Sequence, residues 1–256
     1  RRSSDLQSVR AGREILESAR TADGSTLVLT VISGGGSALL EAPPEVEVRG
    51  TRITLTLDQL RETTEALLAS GATIQEVNAV RKHLSAIKGG RLAEALAPAH
   101  SIALILSDVV GDDLGSIASG LTVPDSTSYR DALSVVETYG LESRLPGPVV
   151  EYLNAGAAGV LPDTPKPDNE AFRLVRNVLV GTNYQALLAA ASAATARGYE
   201  TLLLTSRLTG EARDVAGLIA SVVAEIRTHE QPVGPPACLL CGGETTVTLR
   251  GDGTGG

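Results

Sequence analysis

The feature that most constrains the fold is an alternation of short apolar runs with longer amphipathic stretches. Leu27–Ile32, reading LVLTVI, is a continuous and partly β-branched run that stops at three glycines, the pattern of a strand buried on both faces. Similar runs fall at Ser101–Leu106, Leu174–Val180 and Thr201–Leu204. Between them lie helical patterns. Capping boxes at Thr56/Gln59 and Thr73/Glu76 open helices over Leu57–Ala69 and Ile74–Ile87, where a hydroxyl and an acid or amide three residues on satisfy the first free N–H groups. Further helices are expected at Arg130–Tyr139, Tyr184–Arg197 and Glu211–Thr228, the first two stopping at Gly140 and Gly198. Connections this long are not hairpins. They predict parallel strands joined by helical crossovers, a layered α/β fold whose ligands sit at the carboxyl ends of the strands.

The chain has 256 residues, enough for one large domain or two smaller ones. Gly159–Glu170 reads as a Pro- and Asp-rich surface loop, Glu45–Arg52 as a hairpin, and Gln231–Pro236 as a break followed by two short strands around a glycine turn. We expect residues 1–232 to form a large domain and residues 233–256 to lead into a smaller one. The chain opens on Arg1 and stops in GDGTGG, so both ends are expected to continue.

Composition removes several function classes. A formal charge of −8 opposes a nucleic-acid backbone, and one Phe with no Trp leaves no stacking platform for single strands. No apolar run reaches the roughly 18 residues of a membrane span and no leader-like core opens the chain, so the expected location is cytoplasmic. Cys238 and Cys241 stand in an apolar run with no second pair or nearby His, and read as buried structural thiols. The scattered His83, His100 and His229 read as structural or surface residues.

Candidate chemistry clusters at the ends of the strands. Ser33, Gly34, Gly35, Gly36 and Ser37 come directly after the first run. Three glycines leave backbone N–H groups free to converge on an anion, with two hydroxyls beside them, although a mobile turn has the same composition. The motif matches neither the dinucleotide fingerprint nor the P-loop. In Asn78–Gly90, Ile74, Val77, Leu84 and Ile87 form an apolar stripe, while Asn78, Lys82 and Ser85 fall on a polar face. Only three of 22 basic residues are lysines, and Lys82 and Lys88 are two of them. A compact ammonium suits a phosphate, and a solvated helix face is the alternative. A strand ends on Asp108, with Asp112 and Asp113 after a glycine. Such carboxylates hold Mg²⁺ or serve as caps and turns, Asp108 being the better ligand candidate. Asn183 and Glu244 occupy similar strand-end positions, as ligands or as a cap and a turn residue.

Taken in order, ISGGGSALL (32–40), SGATIQEVNAVRKHLSAIKGGRLA (70–93), LSDVVGDDLGSIASG (106–120) with TVPD, and GGETTVTLRGDGTGG (242–256) make the chain similar to glycerate kinases of the MOFRL-containing family. The resemblance implies a three-layer Rossmann-like sheet with helices on both faces, and the start of a smaller α/β domain. It implies ATP-dependent phosphorylation of D-glycerate to 2-phosphoglycerate, with Mg²⁺. Ser33–Ser37 would then bind phosphate or the glycerate carboxylate, together with Asn78, Lys82, Asn183 and Glu244. Lys88 would neutralise the transferring group, Asp108 would hold the metal or orient the hydroxyl, and Asp112 would join it at the metal. The expected partners are the nucleotide and D-glycerate, with a homodimer left open. Leu121 stands where the family pattern has Pro, and the family's GKA-type lysine and RNQE segment lie outside this chain. A hydroxypyruvate reductase, a label some relatives carry, and a non-catalytic nucleotide-binding module are the other readings. The lack of GxGxxG opposes the reductase.

Overall fold

A computed structural model describes residues 4–48 and 50–248. It divides into two compact units, the larger drawn from Arg2–Ile105 and Leu114–Val178 and the smaller from Leu106–Asp113 and Leu179–Gly256.

In the larger unit, α1 (Leu6–Thr21) leads into β1 (Leu27–Ser33), the four-residue α2 (Gly36–Leu39), and an antiparallel hairpin of β2 (Glu45–Val48) and β3 (Thr51–Thr54). The expected hairpin at Glu45–Arg52 is thus present, extended by two residues; Arg49 lies outside the described residues. Next come α3 (Leu57–Ala69), α4 (Ile74–His83), α5 (Arg91–Leu96), β4 (His100–Leu106), α6 (Tyr129–Thr138) and α7 (Gly147–Ala157). Both predicted capping boxes form: Thr56 and Thr73 accept from the N–H groups of Gln59 and Glu76, whose side chains return the contact. Helices α3, α4, α6 and α7 enclose a core that includes Leu67, Val77, Val80, Tyr129, Val136 and Leu153.

The sheet that carries the loops has the order β1-β4-β5, where β5 is Val175–Gly181. His100 N–H donates to the Thr26 carbonyl where β4 and β1 begin, and Ser107 N–H to the Gly181 carbonyl where β4 and β5 end. Start meets start and end meets end, so the strands are parallel, as the alternation predicts. One expectation for β1 fails. Leu27, Leu29 and Val31 are 66, 61 and 79% exposed, so this strand is covered on one face only among the described residues. Continuous apolarity reports what a strand can bury, and here the second face has no described partner.

Three further corrections concern α4 and the Gly159–Glu170 loop. Helix α4 ends at His83 instead of Ile87, because the next residues are drawn into tertiary bonds: Gly89 and Gly90 donate to the carbonyls of Ser119 and Gly120 at 3.0 and 2.7 Å. The polar face expected of Asn78, Lys82 and Ser85 is buried, at 7, 9 and 1% exposure, whereas Ile74 of the supposed apolar stripe is 48% exposed. The Gly159–Glu170 loop is not wholly superficial, since Leu161 and Thr164 are buried. His83 is buried too, its ring nitrogens facing the Ala79 carbonyl and Asp163.

The smaller unit contains α8 (Asn183–Thr195), packed on the parallel pair β6 (Glu200–Leu208) and β7 (Ala237–Gly243), and α9 (Ala212–His229). The two short strands expected after Pro236 are one strand, β7, followed by an isolated bridge between Glu211 and Thr246. Pairing with β6 keeps this segment extended through the glycines where a hairpin turn was expected. Cys238 and Cys241 lie on β7 opposite Thr201 and Thr205, half-buried instead of buried. The GDGTGG segment lies outside the described residues. No helix among the described residues is long and apolar enough to cross a membrane.

Candidate functional site

The glycine loop leaves β1 at Ser33 and passes directly into α2. Ser33 and Gly35 are exposed, and Gly34, Gly36 and Ser37 are half-buried. The N–H groups of Gly34 and Gly35 donate to no backbone acceptor among the described residues. The loop therefore offers free donors at a strand's carboxyl end, which an anion requires.

Its downstream flank is fixed from behind. The Ser37 carbonyl accepts from Arg81 Nη2 at 2.9 Å, and Ser37 Oγ lies 2.8 Å from Ser119 Oγ. Ser119 stands in a left-handed stretch with Ala118 and Gly120, at φ of 59, 50 and 67°. Two consecutive non-glycine residues in that region cost conformational energy, a cost that persists where surrounding structure over-determines the backbone.

Lys88 is fully buried, and its ammonium donates to Glu41 Oε2. Burial pushes the Lys88 ammonium down to about 8, against the pull of the Glu41 carboxylate. The other oxygen, Glu41 Oε1, accepts from Ser85 Oγ at 2.8 Å and from the Ala42 N–H at 3.2 Å. Lys82 is arranged in the same way. Its ammonium lies 3.2 Å from Asp125 Oδ1, and Asp125, wholly buried, also accepts from the Thr127 N–H and hydroxyl and from the Thr164 hydroxyl. Each lysine thus has a dry carboxylate as counter-ion, which a buried charge demands. Asn78, one turn before Lys82 and 7% exposed, has no hydrogen-bond partner for its side chain among the described residues.

The remaining predicted residues belong to the smaller unit. Asp108 is exposed; Asp112 is half-buried, with a left-handed backbone at φ 59°. Asn183 does not cap α8, because Thr182 does so through a capping box with Gln185. Asn183 instead donates from Nδ2 to the Ser206 carbonyl at 2.9 Å, and a Cβ placed on Gly242 would stand 2.3 Å from Asn183 Oδ1. Asn183 and Gly242, which follow two different strands' apolar runs, therefore meet. Glu244 is exposed, and its N–H donates to the Leu208 carbonyl. Among the described residues no three His, Cys, Asp or Glu side chains are grouped to hold a metal.

Glu41, Arg81, Ser119 and Asp125 were not singled out from sequence. A signal existed for each: Glu41 directly follows SGGGSALL, and the other three lie inside the motifs that carry the resemblance.

The family model described as a domain of unknown function, DUF4147, matches residues 2–154. The chain belongs to the DUF4147 family. Its match covers β1, the glycine loop, α4 and both buried lysines. A glycerate 2-kinase of Pyrococcus horikoshii is 40% identical over 97% of this chain and 54% of its own length. A relative from Agrobacterium vitis, named for hydroxypyruvate reduction, is 42% identical over 98% of this chain and 54% of its own. The crystal structure of a glycerate kinase from Thermotoga maritima superposes with a TM-score of 0.79 at 38% identity, over 99% of this chain and 56% of that one. The chain spans about half the length of these relatives. The resemblance to glycerate kinases drawn from the four motifs is borne out, and so is the α/β fold class.

Proposed function

We propose that the chain is part of an ATP-dependent kinase that phosphorylates D-glycerate at its 2-hydroxyl. The carrying observation is the glycine loop, its Gly34 and Gly35 N–H groups without a backbone acceptor among the described residues and its flank held by partly buried polar contacts, in a chain whose relatives bear the name glycerate kinase. Transfer of a phosphoryl group depends on positioning and charge stabilisation, and a loop held from behind supplies the first. In this reading Ser33–Ser37 receive a phosphate or the glycerate carboxylate, with Asn78 directing its unpartnered amide at the ligand. Lys82 and Lys88 supply positive potential from beneath. The substrate hydroxyl oxygen bonds to the terminal phosphorus as the bond to the ADP oxygen breaks, and the hydroxyl proton passes to water. Asn183 and Glu244 are assigned to nucleotide or substrate binding, and residues 233–256 to the connection with a smaller domain.

The donor chemistry also fits Mg²⁺, which is commonly held by one or two carboxylates with phosphate oxygens completing its shell. Asp108, exposed, and Asp112, half-buried, would hold it. When bound, the ion neutralises phosphate charge.

The test is ADP release by the full-length protein with Mg²⁺, ATP and D-glycerate, with the product resolved as 2- or 3-phosphoglycerate. Release of ADP with 2-phosphoglycerate is expected. No release above background overturns the kinase, and NADH oxidation with hydroxypyruvate would put the reductase in its place.

A further inference from the structure

Segment 81–88 grips the glycine-loop segment at two levels. Arg81 holds the carbonyl of Ser37, and further along the segment Ser85 and Lys88 together hold the carboxylate of Glu41. Backbone bonds reinforce the second level: Ala86 N–H donates to the Ala42 carbonyl at 2.7 Å, and Glu41 N–H to the Ser8 carbonyl at 3.2 Å. Between the levels lies α2, which begins within the loop itself. A shift of Glu41 therefore passes through one short helical turn into Gly34–Ser37. The Glu41 and Lys88 side chains are 6 and 0% exposed, so water screens neither charge.

Stability alone does not explain an ion pair in this place. Two charges brought out of water repay their desolvation poorly, and apolar residues of similar volume commonly serve the fold as well or better. A neighbouring cation makes it more costly, since Arg81 also disfavours the Lys88 charge. What an ionic clasp adds over an apolar one is a fixed distance and direction between two backbone segments.

We propose that Glu41 is a positioning residue for phosphoryl transfer, its buried carboxylate clasping Lys88 and Ser85 so that the glycine loop stands at a fixed height over segment 81–88. The assignment rests on the kinase reading above. Glu41 touches no substrate; it acts through the loop and through Lys88.

The experiment uses full-length protein and compares wild type with the apolar pair E41L/K88M, with E41Q and with E41D, recording melting temperature and the kcat and KM for ATP and D-glycerate. E41L/K88M is expected to melt close to wild type yet to lose kcat by about 100-fold, the usual consequence of displacing a reacting group by roughly 1 Å. Wild-type kcat and KM in E41L/K88M would overturn the assignment and leave the pair structural. Should that variant not fold, the single substitutions decide. E41D keeps the charge and should retain kcat about tenfold above E41Q, a gap of roughly one charge-assisted hydrogen bond; equal values overturn the assignment. Failure of the kinase reading looks different, because wild type itself then releases no ADP.

Discussion

The larger unit buries two of its lysines, and the smaller unit displays two of its acids. Lys82 and Lys88 sit at 9 and 0% exposure, each against a buried carboxylate, while Asp108 and Glu244 are exposed. Charges of the first kind were desolvated during folding and hold the chain's shape; those of the second kind retain their water. The buried charges should therefore govern stability and geometry together, and the exposed ones function alone.

The sharpest way to break that contrast is to remove one charge from each side. K88A strips Glu41 of its counter-ion in a dry site and should cost about 3–5 kcal/mol. D108A, at an exposed position, should stay within about 0.5 kcal/mol of wild type while still lowering kcat in the full-length enzyme. Urea unfolding of both variants reads the difference. Equal losses would mean that Glu41 finds another partner or water when Lys88 goes, and the distinction between the two regions would collapse.

A smaller effect separates the two units through their helix glycines. Gly12 in α1 lies against the backbone: a Cβ there would stand 2.1 Å from the Glu41 carbonyl oxygen and 2.8 Å from its carbon. Neither atom belongs to a side chain that can swing away, so G12A should cost about 1–3 kcal/mol through overpacking. It should also shift Glu41. Gly217 in α9 has nothing within 4 Å of the same position. G217A should instead stabilise by about 0.5–1 kcal/mol, the helix penalty of glycine relative to alanine. Melting temperatures moving in opposite directions support the comparison; a shared direction breaks it.

How much of this was legible in the chain depends on the range of the interaction. Helix α3 begins and ends where its pattern and capping box place it, because both signals are local. The parallel sheet and the hairpin follow from connection length and alternation. Helix α4 shows where local signals stop. Its apolar spacing runs to Ile87, but Gly89 and Gly90 bond to Ser119 and Gly120, some thirty residues away, and that pull ends the helix early. Lysine scarcity drew attention to Lys82 and Lys88, yet their partners Asp125 and Glu41 lie 43 and 47 positions away, and no periodicity connects them. Three glycines made Ser33–Ser37 a candidate anion loop; Glu41 stands just beyond it, but its pairing with Lys88 spans 47 positions and no local pattern reveals it.

The smallest effect concerns the other end of α4, where a half-buried carboxylate does locally what the buried pair does at a distance. Glu76 Oε2 accepts from the Thr73 N–H and hydroxyl at 2.7 and 2.8 Å and from the Tyr139 hydroxyl at 2.9 Å. The Thr73 backbone and side-chain bonds, with Tyr139 adding to them, hold its carboxyl below the ordinary value of 4.5. The folded state thus binds this proton less readily than the unfolded chain, so the contribution is present above about pH 4.5 and fades as the pH falls through the lower folded value. E76Q should lower the melting temperature slightly at pH 7, since glutamine can still accept in a capping box, and the gap from wild type should close on acidification. Melts from pH 7 to pH 3 of wild type and E76Q measure it. A gap that stays constant would show that the box works by hydrogen bonding alone, and that charge matters only at the buried end of the helix.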